Sequence, residues 1–157
     1  MTTIFFACSG NTCRSPMAAE ILRQIVEKYG IEDLETDCFG IHPYLEDDAE
    51  VRRLREQALI ESTGSKGRII EHVPKGFEEA SISQGDKIIL LQKDLLEALC
   101  EKMKLRGISL PILILDIADP FGQGYHEYLE CCRTLRDEIE DNMLWILGSS
   151  YRDSFAK

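Results

Sequence analysis

Cys8 and Arg14 bracket the run Cys8-Ser9-Gly10-Asn11-Thr12-Cys13-Arg14-Ser15-Pro16. A short, fully apolar run, Thr3-Ile4-Phe5-Phe6-Ala7, precedes it, and a helical pattern begins at Pro16. A loop that leaves a buried strand and enters a helix N-terminus can curl its backbone N–H groups around an anion. The helix dipole adds positive potential there. Gly10 and Asn11 tolerate the left-handed backbone that such a nest requires. Arg14 can offer two parallel N–H donors to phosphate oxygens. A thiolate at Cys8, beside a bound phosphorus atom, is a nucleophile. A Cys and an Arg at this spacing occur often by chance. Followed by Ser-Pro, and set between a strand and an amphipathic helix, they are far more specific.

Displacement at phosphorus also needs an acid for the leaving group. Asp119-Pro120-Phe121-Gly122 follows the last apolar run, Leu110 to Leu115. Asp119 is expected to protonate the leaving group and then to activate the water that hydrolyses a phosphocysteine. Asp116 is nearby but closer to the strand.

For these groups to meet, the chain must bring both segments to one edge. Leu34 to Phe39 and Lys87 to Leu91 read as further strands, beside Thr3–Ala7 and Leu110–Leu115. Pro111 favours a strand start or a sheet edge. Met17, Ile21, Leu22, Ile25, Val26 and Tyr29 share one face of a first helix, with Ser15 as its expected N-cap, Pro16 at its first position and Gly30 at its end. A second helix is expected from near Asp48 to before Gly64. A third carries Leu95, Leu96, Leu99 and Met103. A long last one carries Tyr128, Leu129, Cys132, Leu135, Ile139 and Met143, with Trp145 near its end. Alternating strands and helices predict an α/β fold: one doubly wound, four-stranded parallel sheet, order 2-1-3-4, with helices on both faces. Ligands of such sheets bind at the carboxyl ends of the strands near the switch point, where the Cys8 loop begins.

The 157 residues suit a single domain over 1–157 with a real core. A net charge of −10 argues against a nucleic-acid partner, whose backbone rewards Lys and Arg. A phosphate site must then be a local positive pocket. No apolar run approaches a membrane span. The first residues carry no basic group ahead of their apolar run, so a cytoplasmic protein without a signal peptide is expected. Cys38, Cys100, Cys131 and Cys132 read as small buried or half-buried side chains. Cys8 and Cys13 have no second pair at ligand spacing, and His42, His72 and His126 are scattered, so neither a metal nor another cofactor is expected. Nothing in the pattern sets an oligomeric state.

The run from Phe5 through Cys8 and Arg14 to Ala18 closely resembles the signature of low-molecular-weight protein tyrosine phosphatases, and Asp119-Pro120 matches that family's late acid motif. The resemblance implies Cys8 as nucleophile, Arg14 as transition-state clamp, Ser15 as a hydroxyl stabilising the thiolate and Asp119 as acid and base. Ser9, Gly10, Asn11, Thr12 and Cys13 would form the phosphate loop, with Asn11 shaping it and His72, from Glu71-His72-Val73, holding Asn11. Departures lie at the cleft walls: Cys38-Phe39-Gly40 after the second strand, Pro74 and Lys75 after His72, Leu91-Gln92 after the third strand, and Phe121-Gly122 after Asp119-Pro120. Thr12 stands where tyrosine phosphatases usually carry Ile or Leu. Thr12 and Asp-Pro-Phe-Gly resemble the bacterial protein-arginine phosphatases of the same family.

The expected substrate is therefore a phosphorylated protein, with phosphoarginine leading and phosphotyrosine second. Arsenate reduction would need a downstream cysteine pair, and Cys131 and Cys132 point about 100° apart on a helix. A non-catalytic phosphate-binding module would not need Cys8, Arg14 and Asp119 together. Cys8 and Cys13, close in one loop, are expected to link reversibly under peroxide.

Overall fold

The computed structural model describes residues 1–148. Four parallel strands form one sheet in the order β2-β1-β3-β4: β1 Thr2–Cys8, β2 Leu34–Gly40, β3 Lys87–Leu90 and β4 Ile112–Ile114. This is the order expected from the alternation of elements. Among the described residues five α-helices connect and cover the strands: α1 Arg14–Lys28, α2 Ala49–Thr63, α3 Leu96–Arg106, α4 Tyr125–Asp141 and α5 Met143–Leu147.

The period-2 geometry of a strand splits β1 between two cores. Ile4, Phe6 and Cys8 face a cluster with Met17, Leu22, Leu54, Leu59, Tyr128 and Ile139 from α1, α2 and α4. Phe5 and Ala7 face the other cluster, with Leu99 and Met103 of α3 and Phe77 from a one-turn 3-10 helix, Phe77–Glu79. Phe39 is the centre of that second core, 6.0 Å from Phe5 and 5.4 Å edge-on from Phe77 between ring centroids. Burying a Phe side chain contributes about 1.5–3 kcal/mol. Phe77 thereby anchors the segment from His72 to Gly76, which the candidate site uses.

Asp48 caps α2, its carboxylate accepting from the N–H groups of Glu50 and Val51, and Gly64 ends that helix at φ 88°. Pro111 lies just before the edge strand β4, where no N–H is missed.

Four expectations are corrected. α1 starts at Arg14 with Cys13 in the N-cap position, so Ser15 is not a cap and Pro16 is the third helical residue. The first turn of a helix leaves its N–H groups unpaired in any case, so Pro16 costs nothing there. Tyr29 is not on the buried stripe; it follows α1 and is largely exposed. The long last helix breaks at Asn142, whose side chain donates to Glu138 O (2.7 Å), and Met143 and Trp145 belong to α5. Cys100 is exposed. Among the described residues no helix is long and apolar enough to cross a membrane.

Candidate active site

The segment after β1 folds into a loop whose carbonyls all turn outward. Six consecutive ones are held by the scaffold. Cys8 O, Ser9 O and Gly10 O accept from the N–H groups of Ile41, His42 and Tyr44, each at 2.9 Å, and Cys13 O from that of Met17 at 3.2 Å. Asn11 O accepts from His72 Nε2 (2.7 Å), and Thr12 O from Arg55 Nη1 (2.8 Å). In a trans peptide the N–H points opposite the carbonyl. Turning these carbonyls out turns the following N–H groups, from Ser9 to Arg14, inward. None of the six bonds uses those groups as donors. Asn11, at φ 59°, supplies the left-handed turn. α1 enters behind the loop with no acidic residue in its first turn, so its dipole is not cancelled.

Gly40 is what lets β2 lie against this loop. A Cβ there would meet Ser9 O at 2.7 Å and Asn11 N at 3.1 Å. The register explains the contact, since Gly40 pairs with Cys8 across β1 and β2.

One hydrogen-bond relay reaches the sulfur. Lys75 N–H donates to Asn11 Oδ1 (2.9 Å), which fixes which end of the amide is nitrogen. Asn11 Nδ2 then donates to Ser15 Oγ (2.8 Å). Ser15, fully buried, accepts that bond and lies 2.9 Å from Cys8 Sγ, so toward a Cys8 thiolate, which can only accept, its hydroxyl is the donor. Burial of Ser15 under the loop is thus tied to this relay and not to a helix cap.

Arg14 is buried, its guanidinium held on two sides. Nη1 donates to Ile117 O (2.9 Å) and Nη2 to Gln92 Oε1 (2.7 Å). Gln92 Nε2 donates to Asp94 Oδ1 (2.6 Å), which orients the amide oxygen toward Arg14. Among the described residues Arg14 Nε has no hydrogen-bond partner.

Asp119 comes from the loop after β4 and reaches the same place. Its Oδ2 lies 3.4 Å from Arg14 Nη2, and its side chain is 48% exposed. Oδ1 accepts from Phe121 N–H (3.0 Å). Asp116 is engaged elsewhere, accepting from Lys93 N–H at 3.2 Å. The rings of Phe121 and Tyr44 meet edge-on at 5.5 Å, joining the Asp119 loop to the loop after β2.

Cys13 packs beneath the loop, 3.2 Å from Tyr128 Oη, and burial pushes its thiol up to about 11. Thr12 is buried, with Oγ1 3.7 Å from Cys13 Sγ. Cys131 and Cys132 are buried in α4, and burial raises both thiols.

His72 is half-buried and brought to Asn11, 61 positions away in sequence. Burial lowers it to about 4, so at neutral pH it is uncharged with its proton on Nε2, while Nδ1 faces Cys38 Sγ at 3.9 Å. The unfolded chain would take up this proton near pH 6.5, while the native ring refuses it until about pH 4. Stability from neutral His72 is therefore complete above pH 6.5 and lost as the pH falls toward 4. The loss should be about 1–3 kcal/mol. Urea midpoints from pH 7.5 to 4.5 should fall more steeply for wild type than for His72→Gln, which keeps a donor without titrating. Parallel profiles would exclude His72 as the source.

The sequence-derived residues Cys8, Ser9, Gly10, Asn11, Thr12, Cys13, Arg14, Ser15, His72 and Asp119 all converge here. Arg55, Gln92, Lys75 and Tyr44 belong to the same constellation and carry no motif. Gln92 and Lys75 both stood at noted departures from the family pattern, the one signal that could have flagged them.

Residues 3–148 match the family model described as low molecular weight phosphotyrosine protein phosphatase. Among curated proteins, a protein-arginine-phosphatase of Geobacillus stearothermophilus is 29% identical over 144 residues, covering 87% of this chain and 88% of that protein. A low molecular weight protein-tyrosine-phosphatase of Streptomyces coelicolor is also 29% identical, over 141 residues, covering 82% and 83%. The solved structure of a low molecular weight protein tyrosine phosphatase from Streptococcus pyogenes is similar in fold, with a TM-score of 0.73 at 18% identity and 98% of each chain covered.

Proposed function

Because this chain belongs to the low molecular weight phosphotyrosine protein phosphatase family of cysteine-dependent phosphatases, we propose that it hydrolyses phosphorylated protein side chains through a phosphocysteine at Cys8, with phosphoarginine as its substrate residue. The observation that carries the chemistry is the outward tethering of the carbonyls from Cys8 to Cys13, which leaves the loop's N–H groups to bind the phosphoryl oxygens. Arg14 clamps those oxygens as charge builds on them. Cys8 attacks phosphorus in line with the leaving nitrogen, and Asp119 delivers a proton to that nitrogen as the P–N bond breaks. Asp119 then takes a proton from water as the water attacks the phosphocysteine. Orthophosphate leaves, and the returning thiolate receives the Ser15 hydrogen bond.

The substrate choice rests on Thr12. A guanidinium brings N–H groups that need acceptors once water is excluded, and the Thr12 hydroxyl and the Asp119 carboxylate are acceptors. An Ile there would wall an aromatic ring better. A buried N–H without a partner costs about 1–3 kcal/mol, or roughly 5- to 150-fold in rate. One observation favours phosphotyrosine instead: the half-exposed Tyr44 and Phe121 rings could flank a phenyl group. Turnover of phosphoarginine and phosphotyrosine peptides, measured side by side, tests the choice. Wild type should prefer phosphoarginine, and Thr12→Ile should move the ratio of kcat/KM toward phosphotyrosine by a factor in that range. An unchanged ratio, or a wild type that favours phosphotyrosine, would make this an ordinary tyrosine phosphatase.

We further propose reversible oxidation. Peroxide would convert Cys8 to a sulfenic acid, releasing water, and the Cys13 thiolate would then attack its sulfur and displace hydroxide, closing a disulfide. With Cys13 at about 11, few of its thiols are ionised at neutral pH. Closure should therefore accelerate about tenfold per pH unit from pH 7 to 9. Mass spectrometry after peroxide treatment reads it. A sulfinic acid on Cys8 with no link to Cys13 at any pH would rule the link out.

A further inference from the structure

Two arginines are buried at the loop. Arg14 lies in the constellation described above; Arg55 reaches it from α2 on the far side. Arg55 is 4% exposed, and its Nη1 donates to Thr12 O at 2.8 Å. Its Nε has no hydrogen-bond partner, and it forms no ion pair among the described residues. Its neighbours Cys13, Cys38 and Tyr128 are kept protonated by burial and bring no negative charge, which leaves Glu56, the next residue on α2, as the carboxylate that acts on it. A buried guanidinium with so little compensation is costly. Such a group is worth keeping where an anion supplies the missing charge.

Of the six carbonyl anchors, four are backbone N–H groups that only a substitution to proline would remove. His72 and Arg55 are the two made by side chains. Arg55 holds the peptide between Thr12 and Cys13.

We infer that Arg55 is a positioning residue of the phosphate loop: it keeps the Thr12 carbonyl out and the Cys13 N–H in, and lends its buried charge to bound phosphate. This rests on the loop being the phosphate site and is independent of the choice between phosphoarginine and phosphotyrosine. It acts through the loop and touches no substrate. It also fixes the backbone of Thr12, so the same contact sets where the Thr12 hydroxyl stands.

Arg55→Met and Arg55→Lys, compared with wild type, test it in three readings: melting temperature, kcat and KM for p-nitrophenyl phosphate, and Ki for orthophosphate. Arg55→Met should raise the phosphate Ki by about tenfold or more, the scale of one lost charge-assisted hydrogen bond, and lower kcat. Arg55→Lys keeps the charge but loses the planar fork, and should raise Ki about threefold. A residue that only stabilises the fold would lower the melting temperature and leave Ki per folded molecule unchanged. That result in either variant overturns the inference. Should Arg55→Met fail to fold, Arg55→Lys decides on the same criterion. A wild type that does not hydrolyse the aryl phosphate would instead strike the phosphatase reading itself.

Discussion

The Cys8→Ser enzyme should turn over no substrate and still bind phosphate. Serine nearly preserves the shape at this position, and the N–H groups of the loop, Arg14 and the relay through Asn11 and Ser15 are untouched. What is lost is the nucleophile. A hydroxyl ionises far less readily than a thiol, and the relay ends at the Ser15 hydroxyl, which is not a base. A phosphoserine, once formed, is also a poorer leaving group than a thiolate. The loss should be at least about 10⁴-fold in kcat, the scale on which removing a catalytic nucleophile acts. Calorimetric titration with orthophosphate should give a Kd within a few fold of wild type. Single-turnover hydrolysis by Cys8→Ser near the wild-type rate would remove the covalent mechanism. Intact chemistry with lost phosphate binding would relocate the nucleophile.

Asp119→Asn should lose about 10²- to 10⁴-fold in rate, as for other positioned acids and bases. Asn can still accept the Phe121 N–H bond that holds this loop, so the geometry is preserved and the proton is removed. The loss should depend on the leaving group. A guanidine leaves only when protonated, so phosphoarginine should lose the most. Nitrophenolate departs without help and should lose the least in the phosphorylation step. Position supports the assignment: Asp119 stands half-exposed beside Arg14, where a substrate's leaving atom and water can both reach it. Asp116 is occupied by Lys93 and makes a poor substitute. A plot of rate against leaving-group pKa, for wild type and variant, is the measurement. If Asp119→Asn slows every leaving group equally, Asp119 is not the acid.

The sequence by itself determined the alternating elements and the loop, while the strand order 2-1-3-4 was inferred from fold rules and is what the structure shows. Strand and helix periods are local signals, and parallel strands with right-handed crossovers leave few topologies. Cys8, Arg14 and the loop N–H groups, the proposed nucleophile, clamp and nest, lie within one short run, so their proximity needed no tertiary information. Asp119 was legible because it follows a strand and all parallel strands end at the same edge.

A Ser before a Pro carries a cap signal, and the cap reading of Ser15 failed, whereas the place beside Cys8 that the resemblance implied is where the side chain lies. Tertiary packing overrode the cap signal: with Asn11 and Cys8 beside it, the hydroxyl found better partners in the relay than in the backbone of α1. The break at Asn142 was invisible because the apolar period continues through it into Met143. The contacts of Arg55 and Gln92 were decided by the tertiary structure, although Gln92 already stood at a departure from the family pattern. Arg55 sits 43 positions from Thr12, and Gln92 sits 78 from Arg14. Only when α2 packs against α4 and the loop does the arginine lose its solvent, and only when β3 lies beside β1 does the glutamine meet Arg14. A hydrogen bond across the fold has no period along the chain, so the residues that hold the loop in its anion-binding shape appear only once the chain is folded.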